Sequence, residues 1–191
     1  MFRIFSGDIL VLFDADVKID GKDVTTDLVD KFRGENNVML VGGNSRVFAP
    51  KGFFEKAIYT SYYVYFKSRE ELHAGHNAFA CTGACLALRR KFAQEIKIPE
   101  KVMSDDLYLY LSCIKKGFEF KYAPRAKVYY KIASNLHDFL RQIFRSHPEA
   151  INLVYKKYFG DLVDKEYYRP PFFYIKAVME MFFRNPLGTL Y

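Results

Sequence analysis

The sequence predicts an α/β fold, and three observations carry the prediction. Short apolar runs that read as strands, at residues 8–13, 38–41, 119–122 and 127–131, alternate with stretches of helical spacing. Ile9 to Phe13 is apolar at every position, the pattern of a strand covered on both faces in a parallel sheet. Residues 104–116 carry the start and stop signals of a helix: Ser104 as cap, Asp105 and Asp106 in the first turn, Lys115 and Lys116 in the last, then Gly117.

The elements follow in order. After the first strand, Asp20-Gly21-Lys22-Asp23 reads as a turn. Thr25 or Thr26 caps a helix through about Arg33, which Gly34 stops. Val38 to Val41 is a second strand, closed by Gly42-Gly43-Asn44. Phe53 to Phe66 has helical spacing of Phe53, Ala57, Ile58, Tyr62 and Tyr65. Ala78 to Leu88 is small and apolar around Gly83, a loop or strand packed closely on something. Glu119 to Tyr122 and Lys127 to Lys131 read as two strands around Pro124. A helix follows from about Asn135 to Ser146, with Leu136, Phe139, Leu140, Ile143 and Phe144 as its buried stripe.

Composition excludes several classes. Half of the 191 residues are hydrophobic and 18% are aromatic, too apolar for a disordered chain. Lys and Arg exceed Asp and Glu by 29 to 22, a basic surplus that suits anionic partners without choosing among them. No recognised nucleic-acid-binding motif is present, so nucleic acid is not expected as a partner. Cys81, Cys85 and Cys113 make an odd count with no disulfide framework, which points to a reducing compartment. Cys81 and Cys85 lack a second ligand pair for zinc, and His73 and His76 lack the spacing of a zinc protease helix.

The chemistry concentrates where the first strand ends in Asp14-Ala15-Asp16. Residues i and i+2 of an extended chain point the same way, so both carboxylates can aim at one point past the strand's carboxyl end. Open α/β sheets place ligands at that edge. Two carboxylates there repel unless a cation lies between them, and Mg²⁺ or Mn²⁺ suits oxygen ligands and bridges to substrate phosphates. A calcium loop fails, because Lys18 stands where a third ligand should be. A solvated turn remains open, as do two styles of phosphate chemistry. In a haloacid-dehalogenase-like phosphatase, Asp14 would be nucleophile and Asp16 acid/base, with Thr82 and Lys91 or Lys115 assisting. In a nucleotide-sugar transferase, the pair would hold a metal.

Four ordered segments resemble family 2 glycosyltransferases of the GT-A fold, in their membrane-associated branch. They are "GDILVLFDAD", "FACTGACLALRR" (79–90), "MSDDLYLYLSCIKKGFEFKYAP" (103–124) and "QIFR" (142–145). The resemblance covers about residues 1–150 and implies transfer of a sugar from a nucleoside-diphosphate-sugar donor to a saccharide or lipid-linked acceptor. It implies that Asp16 holds the metal, Mg²⁺ or Mn²⁺, and that Asp14 touches the donor or the same metal. It implies that Asp106 is the general base, that Asp105 stands where the family usually has Glu, and that Gly83 lines the acceptor site. Gln142 and Arg145 would lie near the diphosphate and acceptor. The alternative within the same fold is an inactive remnant that acts as a binding module.

Two departures stand out. Only seven residues precede Asp8, where the resemblance calls for a nucleotide-binding half, so a truncated chain is expected: residues 1–165 as the metal and acceptor half, 166–191 as an apolar tail. Ser146 stands where the family motif has Trp, which argues against a processive synthase.

Residues 170–184 predict a mostly apolar helix whose Lys176, Glu180 and Arg184 form one narrow charged stripe. It suits either a core helix or a helix lying in a membrane interface with its basic side chains reaching out. The expected location is the cytoplasmic face of the membrane.

Overall fold

The computed structural model describes residues 4–100, 102–145 and 148–184, and their side chains apart from 144–153. In chain order the elements are β1 (Ile9–Phe13), β2 (Lys18–Ile19), α1 (Val24–Val29), β3 (Val38–Val47), α2 (Phe53–Glu71), β4 (Cys85–Arg89), α3 (Arg90–Glu95), α4 (Asp105–Lys115), β5 (Glu119–Tyr130), α5 (Leu136–Arg145), α6 (Pro148–Phe159), α7 (Leu162–Tyr167) and α8 (Pro171–Arg184). The strands form one mixed sheet in the order β1-β4-β3-β5-β2. Only β3 and β5 pair in parallel; the other neighbours are antiparallel.

The sheet is covered on both faces. On one, Leu40, Leu86, Leu88 and Phe120 pack with Phe92 of α3, Leu109 and Tyr110 of α4 and Tyr155 of α6. On the other, Val41, Cys85, Ala87 and Val128 pack with Val24 and Leu28 of α1. Alternate residues of β4 serve opposite cores, as the two-residue period of a strand requires.

β1 departs from the buried parallel strand expected. Its two faces are covered, Leu10 and Leu12 by one core and Ile9, Val11 and Phe13 by the other. It lies at the sheet edge, however, and pairs antiparallel with β4 alone. An apolar run reports covered faces; it says nothing about direction or about the neighbour on the hydrogen-bonding side.

Two breaks expected in the sheet are absent. Gly42-Gly43-Asn44 does not close β3, which runs on to Val47. The glycines are there because a neighbour sits where a side chain would be. A Cβ at Gly42 would fall inside the envelope of the Ala80 carbonyl oxygen and 2.9 Å from the Phe120 ring; one at Gly43 would collide with Cys85. The two strands expected around Pro124 are one strand, β5, with a bulge. Register jumps from Gly43↔Ala123 to Asn44↔Lys127, and Asn44 Nδ2 donates to the Pro124 carbonyl at 2.9 Å.

The stripe expected to be buried on α5 is a further correction. Leu136, Leu140 and Ile143 are exposed, while Phe139 is half-buried and meets the Phe54 ring edge-on at 6.1 Å. The side chain of Phe144 lies outside the described residues. Spacing identifies an apolar face but not whether anything covers it. Three elements, β2, α6 and α7, were not expected from the sequence; β2 has two residues and depends wholly on β5 for pairing.

Candidate active site

The antiparallel pairing of β1 with β4 builds the site. Phe13 lies opposite Cys85, so the chain leaving β1 runs beside the turn that enters β4. Asp14 N–H reaches the Ala84 carbonyl at 3.4 Å, and the Asp14 carboxylate faces Gly83. A Cβ at Gly83 would sit 3.8 Å and 3.9 Å from the two Asp14 oxygens, ordinary contact distances. The protein's own packing therefore does not demand glycine at 83.

α4 brings the third carboxylate. Gly83 N–H donates to Asp106 Oδ2 at 3.0 Å. Asp106 Oδ1 accepts from Leu107 N–H at 2.8 Å and from the Ser104 hydroxyl. Ser104 occupies the cap position, yet its hydroxyl serves Asp106 rather than a backbone N–H. The Cys81 thiol donates to the Asp106 carbonyl at 3.3 Å, which ties the start of α4 to the same segment. Burial pushes the Cys81 thiol well above its usual range and Cys85 and Cys113 up to about 12, so all three free cysteines are buried neutral thiols.

That segment, residues 77–83, is braced from behind. Asn77 donates to the Ser68, Arg69 and Leu72 carbonyls at the end of α2 and accepts from Phe79 N–H. Arg69, 1% exposed, donates to the Phe79 and Ser45 carbonyls. The Thr82 and Ser45 hydroxyls share a hydrogen bond of 2.9 Å. The site thus rests on β1, β4, the last turn of α2 and the first turn of α4.

The electrostatics mark the acids as one cluster. The Asp14 carboxyl is held above its ordinary value of 3.8, by desolvation first, then by the charges of Asp16 and Asp106. Asp14 and Asp16, hard oxygen donors that repel each other, suit a divalent ion of the Mg²⁺ or Mn²⁺ kind. Among the described residues no group of three or more His, Cys, Asp or Glu is close enough to hold an ion unaided.

A raised folded pKa means that the folded chain binds this proton more tightly than the unfolded one. The resulting stability is fully present below 3.8 and is lost as pH rises through the raised folded value. Asp14→Asn should therefore melt higher than the parent at neutral pH, with the gap closing as pH falls. Mn²⁺ should raise the melting temperature of the parent more than that of the variant. Scanning fluorimetry from acid to neutral pH checks both; a variant that melts lower at neutral pH contradicts the reasoning.

Sequence reading missed Tyr155 of α6. Its hydroxyl donates to the Ser104 carbonyl at 2.6 Å and accepts from Ser104 N–H at 3.0 Å, while its ring is fully buried. Tyr155 clamps the residue that orients Asp106. No spacing rule could have found it, because the partners lie 51 residues apart. Tyr155→Phe is expected to cost about 1–2 kcal/mol, since a backbone N–H loses its buried partner. Activity should fall through kcat rather than KM, which thermal melts and steady-state kinetics would resolve.

The remaining expected residues lie elsewhere. Asp105 is exposed in the first turn of α4. Gln142 accepts from the Tyr62 hydroxyl at 2.9 Å and lines a groove of about 400 Å³ with Lys131, Ser134, Asp138 and Arg141. No contact among the described residues links Gln142 to the three carboxylates. The Arg145 side chain lies outside the described residues. Of the groups a phosphatase would need, Lys115 donates to the Tyr158 carbonyl at 2.6 Å and lies roughly 13 Å along α4 from Asp106.

No curated protein sequence matches the chain. Among solved structures, the mannosyltransferase PcManGT from Pyrobaculum calidifontis, in complex with GDP-Man and Mn²⁺, is similar at a TM-score of 0.56 and 16% identity. The match covers 99% of this chain and 50% of that one, so the chain spans half the length of that neighbour. The likeness shows a GT-A glycosyltransferase fold. Residues 9–146, from β1 to the residue after α5, match Glycosyl transferase family group 2, and the chain belongs to that family.

Proposed function

We propose that the chain carries the metal and acceptor side of an inverting glycosyltransferase that uses a nucleoside-diphosphate sugar. The supporting observation is that Asp14 and Asp106 both meet Gly83 at the carboxyl end of β1, with the charge of Asp16 acting on Asp14. An acceptor hydroxyl beside Asp106 gives its proton to that carboxylate as its oxygen attacks the anomeric carbon. The bond from that carbon to the diphosphate breaks, and the diphosphate leaves with the electron pair. Asp106 is held for this by Gly83 N–H, Leu107 N–H and Ser104, which fix the orientation of its carboxylate. Asp16 and Asp14 are the residues that would hold Mg²⁺ or Mn²⁺, which when bound supplies positive charge to the departing diphosphate. Gln142, in the second half of α5 and on its groove, is the proposed acceptor-side contact.

The test is metal-dependent hydrolysis or transfer from GDP- and UDP-sugars, with and without Asp16→Ala. Loss of at least about 10²-fold is expected, because the leaving diphosphate is then uncompensated. Full activity in Asp16→Ala would remove the metal role. Release of phosphate from phosphomonoesters instead would point to the phosphatase chemistry, and donor binding without turnover to a non-catalytic module.

A further inference from the structure

The link between α7 and α8, Tyr168-Arg169-Pro170, carries a cation without an anion. The link is fastened at both ends, by Val163 of α7 in the main core and by Phe173 of α8 against Val64 of α2. Pro170 biases the Arg169 backbone toward extended conformations, and Pro171 opens α8. Arg169 is half-buried, and among the described residues no carboxylate lies within ion-pair distance of it. Its guanidinium lies 3.9 Å from the centroid of the Phe79 ring and 5.6 Å from that of Tyr174, and it donates to the Tyr167 hydroxyl. Stacking on a ring face occupies none of the five N–H donors. Beyond Tyr167, no acceptor among the described residues engages them.

The place of Arg169 relative to the acids follows from residues 77–83. Asp14 and Asp106 meet that segment at Gly83, the Asp106 backbone meets it again at Cys81, and Arg169 meets it at Phe79. Arg169 is therefore at the far end of the segment from Asp14, on the Asp106 side. Phe79 and Cys81 are separated by at most ~7 Å of chain. The Tyr167 phenol feels both charges: burial holds it above its ordinary value, the Arg169 charge opposes that, and the Asp106 charge adds to it.

The charge balance selects the ligand. One guanidinium matches one carboxylate, which its planar fork can grip in two parallel bonds. A phosphate monoester carries about −1.5 to −2 at neutral pH and calls for a second cation. The neighbouring Arg69 cannot serve, because it is 1% exposed and engaged with the Phe79 and Ser45 carbonyls. Tyr174, 43% exposed, adds an aromatic wall against which a sugar ring can lie.

We propose that Arg169 forms a carboxylate-binding subsite beside Asp106, and that the acceptor is an acidic saccharide of the uronate class. The role of acceptor rests on the glycosyltransferase reading; the binding of the acidic saccharide does not.

The experiment is a ligand-observed NMR titration of the purified chain with methyl glucuronoside, methyl glucoside and glucose 6-phosphate. The glucuronoside should bind at least about tenfold tighter than the glucoside, and salt should narrow the gap. Arg169→Gln should bring the glucuronoside down to the affinity of the glucoside. Arg169→Lys keeps the charge but not the fork, so it should retain only part of the preference and serves where the Gln variant does not fold. Equal binding of glucuronoside and glucoside, or an undiminished preference in folded Arg169→Gln, overturns the proposal. Tighter binding of glucose 6-phosphate than of the glucuronoside overturns the carboxylate class. Transfer assays with GDP- and UDP-sugars separate the two readings. Arg169-dependent glucuronoside binding without any transfer supports the subsite and removes the transferase role. Transfer to the glucoside with no gain for the glucuronoside supports the transferase and overturns the subsite.

Discussion

Asp106→Asn is expected to slow sugar transfer by about 10²–10⁴-fold while leaving the melting temperature within a few degrees of the parent. The amide oxygen can still accept from Gly83 N–H, the Oδ2 contact of 3.0 Å. It can equally accept from Leu107 N–H if the amide turns over. What the variant cannot do is take the acceptor's proton, so the attacking oxygen keeps it through the transition state. The loss should appear in kcat more than in KM, since proton transfer belongs to the transition state rather than to substrate binding. A variant that retains more than half of the parent's activity would mean that the base is another group or water.

Gly42→Ala is expected to have the largest effect on stability, more than about 3 kcal/mol, at the upper end of overpacking costs. The added methyl meets the Ala80 carbonyl, which is backbone and cannot swing away, and then the Phe120 ring. Ala80 lies within the segment that ends at Gly83, and this segment is tied to β3 through Ser45 and Thr82. Moving it would carry Gly83 away from Asp14 and Asp106. Soluble yield and urea denaturation measure the effect; a midpoint within experimental error of the parent would show that the β3–Ala80 contact is looser than described.

The parts of the molecule visible in the sequence are those whose signals are local. Asp14 and Asp16 after Phe13, the polar-capped start of α4 and the spacing of α8 each depend on neighbours within a few residues. The Gly42-Gly43 pair misleads as a strand stop because glycine has two physical meanings. Freedom to turn is local, whereas absence of a side chain matters only when Ala80 or Cys85 arrives from elsewhere in the chain. The faces of α5 and α8 were legible as apolar, but their orientation was not. The charged residues of α8 lie along the side next to α2, where Glu71, Lys67 and Tyr63 offer them partners, and the Lys176 side chain stays 46% exposed. Tyr155 and Arg69, which hold the site in place, carry no motif; each acts through backbone carbonyls brought near by the fold.

The central claim is that the acids at the end of β1 share a divalent ion with a donor diphosphate, next to Asp106. Crystals grown with Mn²⁺ and GDP, and measured at the manganese edge, test it most directly. The expected result is an anomalous peak within coordination distance of the Asp16 carboxylate, on the Asp14 side of Gly83, and absent from an Asp14→Asn, Asp16→Asn double variant. A peak elsewhere, or one that persists in the double variant, would contradict the claim.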